Sequence, residues 1–209
     1  MDILNKLEWR YAVKKFDTTK KLSAAQLDGL MAATRLSASA YGLQPYKILV
    51  VENPAVREQL KAASWNQPQI TDASQLIVFA RYANLQESHV DDYTNNIAAT
   101  RQINPEDLAG FAGMMKGTVN SLDAAGAAAW TSRQAYLALG TLLTAAAAEG
   151  IDACPMEGFD ASKYDEILGL KDKGLATVVI AAIGFRAEDD VMQHAKKVRK
   201  PIAELVEMI

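Results

Sequence analysis

Residues 36–51 read LSASAYGLQPYKILVV, and the way this stretch divides decides the fold. Its second part, Tyr46–Val51, is a compact apolar run of strand length and β-prone composition. Its first part carries small side chains, one Gly and a Gln-Pro pair, which mark a tight connection out of a preceding helix. That helix opens at Ser23-Ala-Ala-Gln26, a capping-box pattern, and runs to about Arg35 with Leu27, Leu30 and Met31 on its inner face. The chain therefore contains a helix–loop–strand unit whose loop lets a flat ligand approach the backbone. Gln44 supplies an amide with both donors and an acceptor to read such a ligand.

Outward from that unit the same alternation continues. Residues 2–9 form a short helix with Ile3, Leu4 and Leu7 on one side, and Asn53-Pro54 starts another. Leu76–Tyr82 is a second buried strand, and residues 86–101 are amphipathic but polar. Asn104-Pro105-Glu106-Asp107 begins a helix with carboxylates in its positive first turn. Residues 123–149 are the longest helix candidate. Alanine dominates them, and a helix so apolar on most sides is expected to be buried. Gly150–Pro155 enters a short extended segment, and Asp160 caps a helix through about Leu168. Leu175–Phe185 is continuously apolar, the mark of a strand covered on both faces. The charged tail beyond it suggests an arm that lies on another subunit. With no repeat and no break in composition, residues 1–209 are expected to form one α+β or mixed α/β domain.

The totals exclude several classes. The chain has 209 residues, half of them hydrophobic, with a net charge of −3, so a general nucleic-acid footprint is not expected. One cysteine, Cys154, and two histidines leave no multi-cysteine or multi-histidine metal site. MDILNKLEWR lacks the apolar core of a signal peptide, and no run spans a membrane, so a reduced cytoplasmic setting is expected. The phosphate-loop, dinucleotide and serine-hydrolase signatures are absent.

Five constellations remain. Arg10 and Lys14 follow the first helix, where an Arg fork and a compact Lys charge suit an anion. The second is the loop Ser37–Pro45. Trp65-Asn66-Gln67, followed by Thr71-Asp72-Ala73-Ser74, offers an amide beside a strand. Pro155-Met156-Glu157-Gly158-Phe159-Asp160 places a Gly before a helix start, with backbone N–H groups free for a ligand. Lys196-Lys197-Val198-Arg199-Lys200 gathers four cations in five residues. Each is equally readable as ordinary surface charge, turn geometry or helix entry.

Their order and spacing are more specific than any one of them. R-x-x-x-K near the start, S-x-S-x-x-G-x-Q-P-Y near residue 40 and D-A-S before a strand are followed by W-x-x-x-Q-x-Y at Trp130, Gln134 and Tyr136. P-M-E-G-F-D and a terminal K-x-R-x-P complete the series. Together they resemble the nitroreductase family, the oxygen-insensitive NAD(P)H-dependent flavin enzymes, over nearly the whole chain. The resemblance implies an α+β fold with a central mixed sheet surrounded by helices, built as an intertwined homodimer with FMN at the subunit interface. It implies that Arg10, Lys197 and Arg199 bind the FMN phosphate and that Lys14 lies near the N1/C2 edge of the ring. Ser39, Gln44 and Asn66 would contact the ring or ribityl chain, and backbone groups of Glu157 and Gly158 would lie near N5 and O4. Tyr41, Phe111 and Met115 are candidates for the substrate pocket wall. The implied activity is ping-pong hydride transfer from NAD(P)H through flavin N5 to nitroaromatics, quinones or similar flat acceptors, with no metal and no protein nucleophile.

Three positions depart from the pattern: Ala12 removes a hydroxyl beside the phosphate, Ala40-Tyr41 make the wall more apolar and bulkier, and Gln69 replaces a lysine of some relatives. Other readings remain open. They are a specialised flavin, pteridine or enone reductase of the same family, a flavin-binding module without turnover, and a helical dimer without cofactor.

Overall fold

The computed structural model describes residues 3–209. The first helix, α1 (Ile3–Trp9), matches the expected 2–9 segment apart from Asp2, which lies outside the described residues. Helix α2 (Ala24–Arg35) has the full capping box, with Ser23 accepting from the Gln26 N–H and the Gln26 side chain accepting from the Ser23 N–H. Strand β1 is Tyr46–Val51. Helices α3 (Pro54–Ala62, capped by Asn53) and α4 (Gln69–Asp72) lead to strand β2 (Gln75–Tyr82). Helix α5 (Glu87–Arg101) is followed by a 3₁₀ turn over Pro105–Leu108, whose start Asn104 caps as expected, and then by α6 (Ala109–Ser121). Helix α7 (Ala124–Ala148, capped by Asp123) precedes strand β3 (Asp152–Met156). Helix α8 (Ala161–Ile167, capped by Asp160), strand β4 (Leu175–Gly184) and the four-residue helix α9 (Ile202–Leu205) complete the chain.

The strands form one sheet in the order β1-β2-β4-β3, and every pair is antiparallel. The expected mixed character survives within the described residues only as a parallel bridge, Ala12 to Ala153. This bridge lays the segment after α1 along β3. Successive residues of a strand face opposite sides, and the two central strands show it. Leu76, Val78, Ile180 and Ala182 pack with Leu60, Ile70 and Tyr164 from the α3, α4 and α8 side. Ile77, Phe79, Val179, Ala181 and Ile183 pack with Leu30, Ala138 and Leu142 from α2 and α7. The sheet is thus the middle of three layers, which is why β2 and β4 read as unbroken apolar runs.

Helix α7 is only partly buried by its own chain. Ala135, Ala138, Leu139 and Leu142 face the sheet, whereas Leu137 is 50% exposed. The apolar residues of α1 and of the tail are exposed as well, among them Leu4, Val198, Ile202 and Leu205. Among the described residues, no helix is long and apolar enough to cross a membrane.

Candidate functional site

Four of the expected ligand residues, Arg10, Lys14, Lys197 and Arg199, converge on one cleft of about 430 Å³. They come from opposite ends of the chain, and two joints bring them together. The first is Asp190, buried at 3% exposure. One carboxylate oxygen accepts the Tyr11 hydroxyl (3.0 Å) and the backbone N–H groups of Lys14 (2.9 Å) and Lys15 (3.2 Å). The other accepts the Met192 N–H at 3.1 Å. Burial pushes this carboxyl up, but the backbone donors and Tyr11 outweigh it and hold it below the usual carboxylate range. The second joint is Arg186, bound by the buried Asp152 carboxylate and stacked over Trp9 (4.2 Å) and Tyr11 (4.5 Å). Neither Asp190 nor Arg186 stands out in the sequence, because each acts on residues more than 170 positions away.

The electrostatics of the cleft are those of an anion site. Lys197 donates to the Leu7 carbonyl at 2.6 Å and to that of Arg10. Burial lowers the Lys197 pKa, and the charges of Arg10 and Arg199 lower it further against the weaker pull of Glu8, which also lines the cleft. Burial also lowers that of Arg10, again with help from Arg199. Three cations therefore repel one another, and among the described residues none of them, nor Lys14, is within ion-pair distance of a carboxylate. A dianionic phosphate would relieve that repulsion and accept their hydrogen bonds. Ala12 lines the same cleft and brings no hydroxyl to it.

Pro155 lines the cleft, and β3 leads from it to Glu157 and Gly158. Here the chain meets the 65–67 loop. Gln67 donates its amide N–H to the Gly158 carbonyl at 2.7 Å. A Cβ on Gly158 would stand 3.1 Å from the Trp65 ring and 3.2 Å from the Gln67 amide, so only glycine fits without displacing them. Trp65 and Asn66 both adopt the left-handed backbone, at φ 50° and 58°. Two such residues in succession are strained, and Asn tolerates the conformation better than Trp. Asn66 caps no helix; Pro68 stands at the start of α4. Tyr136 of α7 donates its hydroxyl to the Glu157 carboxylate at 2.5 Å, and burial together with that bond pushes the phenol pKa up to about 12.

Ser39 and Gln44 lie in a separate cluster. The Ser39 hydroxyl accepts the Gln44 N–H (3.0 Å), and the Gln44 amide donates to the Arg35 carbonyl (2.8 Å). Gln134, part of the W-x-x-x-Q-x-Y pattern, accepts the Ala40 N–H at 2.8 Å and so ties this loop to α7. Tyr41 and Gln44 are both left-handed, at φ 58° and 45°. The Tyr93 hydroxyl donates to the Tyr41 carbonyl at 2.8 Å. Tyr41 also meets Thr118 through its hydroxyl (3.0 Å) and Phe111 edge to face (6.2 Å). Met115 is fully buried with Val90 and Val119 between α5 and α6, while its neighbour Met114 is exposed. Gln69 is likewise buried, its amide oxygen without a partner. Cys154 is buried beneath the cleft, and burial raises its thiol pKa despite nearby Lys14.

The model of the nitroreductase family matches residues 7–185. The major NAD(P)H-flavin oxidoreductase of Aliivibrio fischeri is 33% identical over 99% of this chain and 98% of its own length. A Bacillus subtilis protein solved as a nitroreductase, YdfN, superposes with a TM-score of 0.88 at 22% identity, covering 99% of this chain and 98% of that one. A protein of Exiguobacterium sibiricum solved as a nitroreductase in complex with FMN superposes with a TM-score of 0.84 at 20% identity, over 100% of this chain and 98% of that one. The two solved structures share the fold, and the family match spans the sheet, its covering helices and the N-terminal half of the cation cleft. The chain belongs to the nitroreductase family.

Proposed function

We propose that the protein is an FMN-dependent NAD(P)H oxidoreductase acting on flat electron acceptors such as nitroaromatics or quinones. The observation that carries this reading is the cleft on which Arg10, Lys197 and Arg199 converge, among the described residues with no carboxylate within ion-pair distance of any of them. FMN carries a phosphate of matching charge, and the named activity of the Aliivibrio relative and the FMN complex of the Exiguobacterium protein support the choice of cofactor. When bound, FMN supplies the hydride-accepting and hydride-donating chemistry; the protein binds, orients and polarises it.

The chain's own residues divide that work. Arg10, Lys197 and Arg199 hold the phosphate. Lys14, on the same cleft, places a positive charge at the N1/C2 edge and favours negative charge there. The Glu157-Gly158 backbone, fixed by Gln67 and Tyr136, meets the N5/O4 edge. Asn66, Ser39 and Gln44 read the remaining polar edges, and Tyr41 and Phe111 belong to the acceptor wall, while Met115, fully buried, packs behind them rather than lining it. The Ser39–Gln44 loop and the cation cleft are separate clusters within one chain, which fits a site completed by a second copy in a homodimer. The exposed apolar faces of α1, α7 and the tail are surfaces for that copy. One pocket serving donor and acceptor in turn implies ping-pong kinetics.

The test is the visible spectrum of the purified protein before and after anaerobic addition of NADH or NADPH. A yellow protein that bleaches is expected. A yellow protein that bleaches with neither donor would be a binding module, and a colourless one that takes up no FMN would refute the cofactor.

A further inference from the structure

Of the acids Glu188, Asp189 and Asp190, only Asp190 is buried. It does not line the cation cleft, but Tyr11, Lys14 and Met192, which it binds, all do. Its carboxylate serves four donors: the Tyr11 hydroxyl and the Lys14 and Lys15 N–H groups from the segment after α1, and the Met192 N–H from the root of the tail. An ionised carboxylate suits this task because both of its oxygens only accept. An asparagine would offer a single oxygen and turn an amide donor toward donors.

The fold is joined here without these bonds. The Asp17 N–H donates to the Phe185 carbonyl at 2.8 Å, the Ala187 N–H to the Lys15 carbonyl at 2.9 Å, and Phe16 bridges to Arg186. The turn that carries Asp190 also closes through its own backbone. The Asp190 N–H donates to the Ala187 carbonyl and the Gln193 N–H to the Asp190 carbonyl, each at 3.1 Å. What the carboxylate adds is the placement of the tail against the 10–14 segment. The tail has little else to place it. Among the described residues, Lys196–Lys200 make no backbone hydrogen bond, and of their side chains only Lys197 donates to another part of the chain, at the Leu7 and Arg10 carbonyls.

We propose that Asp190 is a positioning residue for the cofactor phosphate, an acid that raises the affinity of the cleft for an anion by aligning Lys197 and Arg199 with Arg10. This rests on the reading of the cleft as the FMN phosphate site. Charge and position act in opposite directions here. A negative charge beside a cation cleft disfavours a phosphate through space, so its removal alone should tighten FMN binding. Loss of alignment should weaken FMN binding instead, because the charge-assisted hydrogen bonds depend on geometry. It should largely spare riboflavin, which has no phosphate to align.

The experiment is equilibrium titration of the full-length protein with FMN and with riboflavin, followed by flavin fluorescence. In Asp190→Asn, FMN should bind about tenfold or more weakly, and riboflavin less than about threefold more weakly. Asp189→Asn removes the same charge one residue away, from an exposed pair with Lys15, and should keep the parent's ratio of the two affinities. Should Asp190→Asn fail to fold, Tyr11→Phe decides. It keeps every charge and the ring stacked on Arg186 but loses the bond to Asp190, and should lower the FMN-to-riboflavin ratio by about threefold; an unchanged ratio there would overturn the proposal. So would an FMN affinity that Asp190→Asn leaves unchanged or raises, an equal loss of both flavins, or an equal effect of Asp189→Asn. The parent separates the two levels of the argument. If it binds FMN no more tightly than riboflavin, the phosphate site falls and the proposal with it; if it prefers FMN and Asp190→Asn keeps that preference, the proposal alone falls.

Discussion

Strand β4 and helix α7 are the longest strand and the longest helix among the described residues, and both are rich in apolar residues, yet only β4 is buried by its own chain. Both faces of β4 meet side chains, those of Ile180 and Ala182 on one side and those of Val179, Ala181 and Ile183 on the other. Helix α7 turns Ala138 and Leu142 to the sheet but leaves Tyr136 and Leu137 uncovered, and α1 and the tail leave further apolar surface open. Apolar area gains about 25 cal/mol per Å² when removed from water. In β4 that gain is already realised within the chain. In α7 part of it waits for another surface, which in our reading is a second copy. Apolar composition therefore reports that an element is covered, but not by which chain.

Substitutions separate the two cases. Ile180→Asp buries a carboxylate with no partner in the middle of the sheet and should cost more than about 4 kcal/mol, so the protein should fail to fold. Chemical denaturation or soluble yield measures it; a well-folded variant would show that β4 is not the closed core described here. Leu137→Asp should leave the fold of one chain intact and instead weaken self-association, read by light scattering across a dilution series. Unfolding of that variant as an isolated chain would erase the contrast with β4.

The cation cleft supplies the next effects. Arg10→Ala and Arg199→Ala each remove charge-assisted hydrogen bonds of about 1.5–3 kcal/mol and should weaken FMN binding about ten- to hundredfold. Flavin-free, neither variant should be less stable than the parent, because each loses a repelling charge. Full flavin retention in both would overturn the phosphate assignment. The smallest effect is expected at Tyr136→Phe, which breaks the bond to Glu157. It should slow acceptor reduction by about two- to tenfold, with FMN affinity little changed. If affinity falls and the rate does not, Tyr136 braces the cofactor site rather than the Glu157 edge.

Much of the fold was legible because its signals are local. Ser23, Asn53 and Asp160 cap helices where their side chains and spacing predict, and β1 begins and ends where its apolar run does. The convergence of Arg10 and Lys14 with Lys197 and Arg199 was suggested by family resemblance; no local pattern could show it. The structural cause is Asp190, one acid among Glu188-Asp189-Asp190, chosen by burial and by donors 175 or more residues away. Other features escape a local reading for the same reason. The left-handed Trp65-Asn66 pair is held against Gly158 across the fold, and the Gln134 amide reads the Ala40 N–H from α7. Met115 and Met114 differ only in which side of α6 they occupy, and packing against α5 decides it.

The most direct measurement is a paired equilibrium titration of the flavin-free protein with FMN and with riboflavin, which lacks the phosphate. If Arg10, Lys197 and Arg199 form a phosphate site, FMN should bind at least about a hundredfold more tightly, and Arg199→Ala should remove most of that difference. Equal affinity for the two flavins, or a difference that Arg199→Ala leaves untouched, would contradict the account.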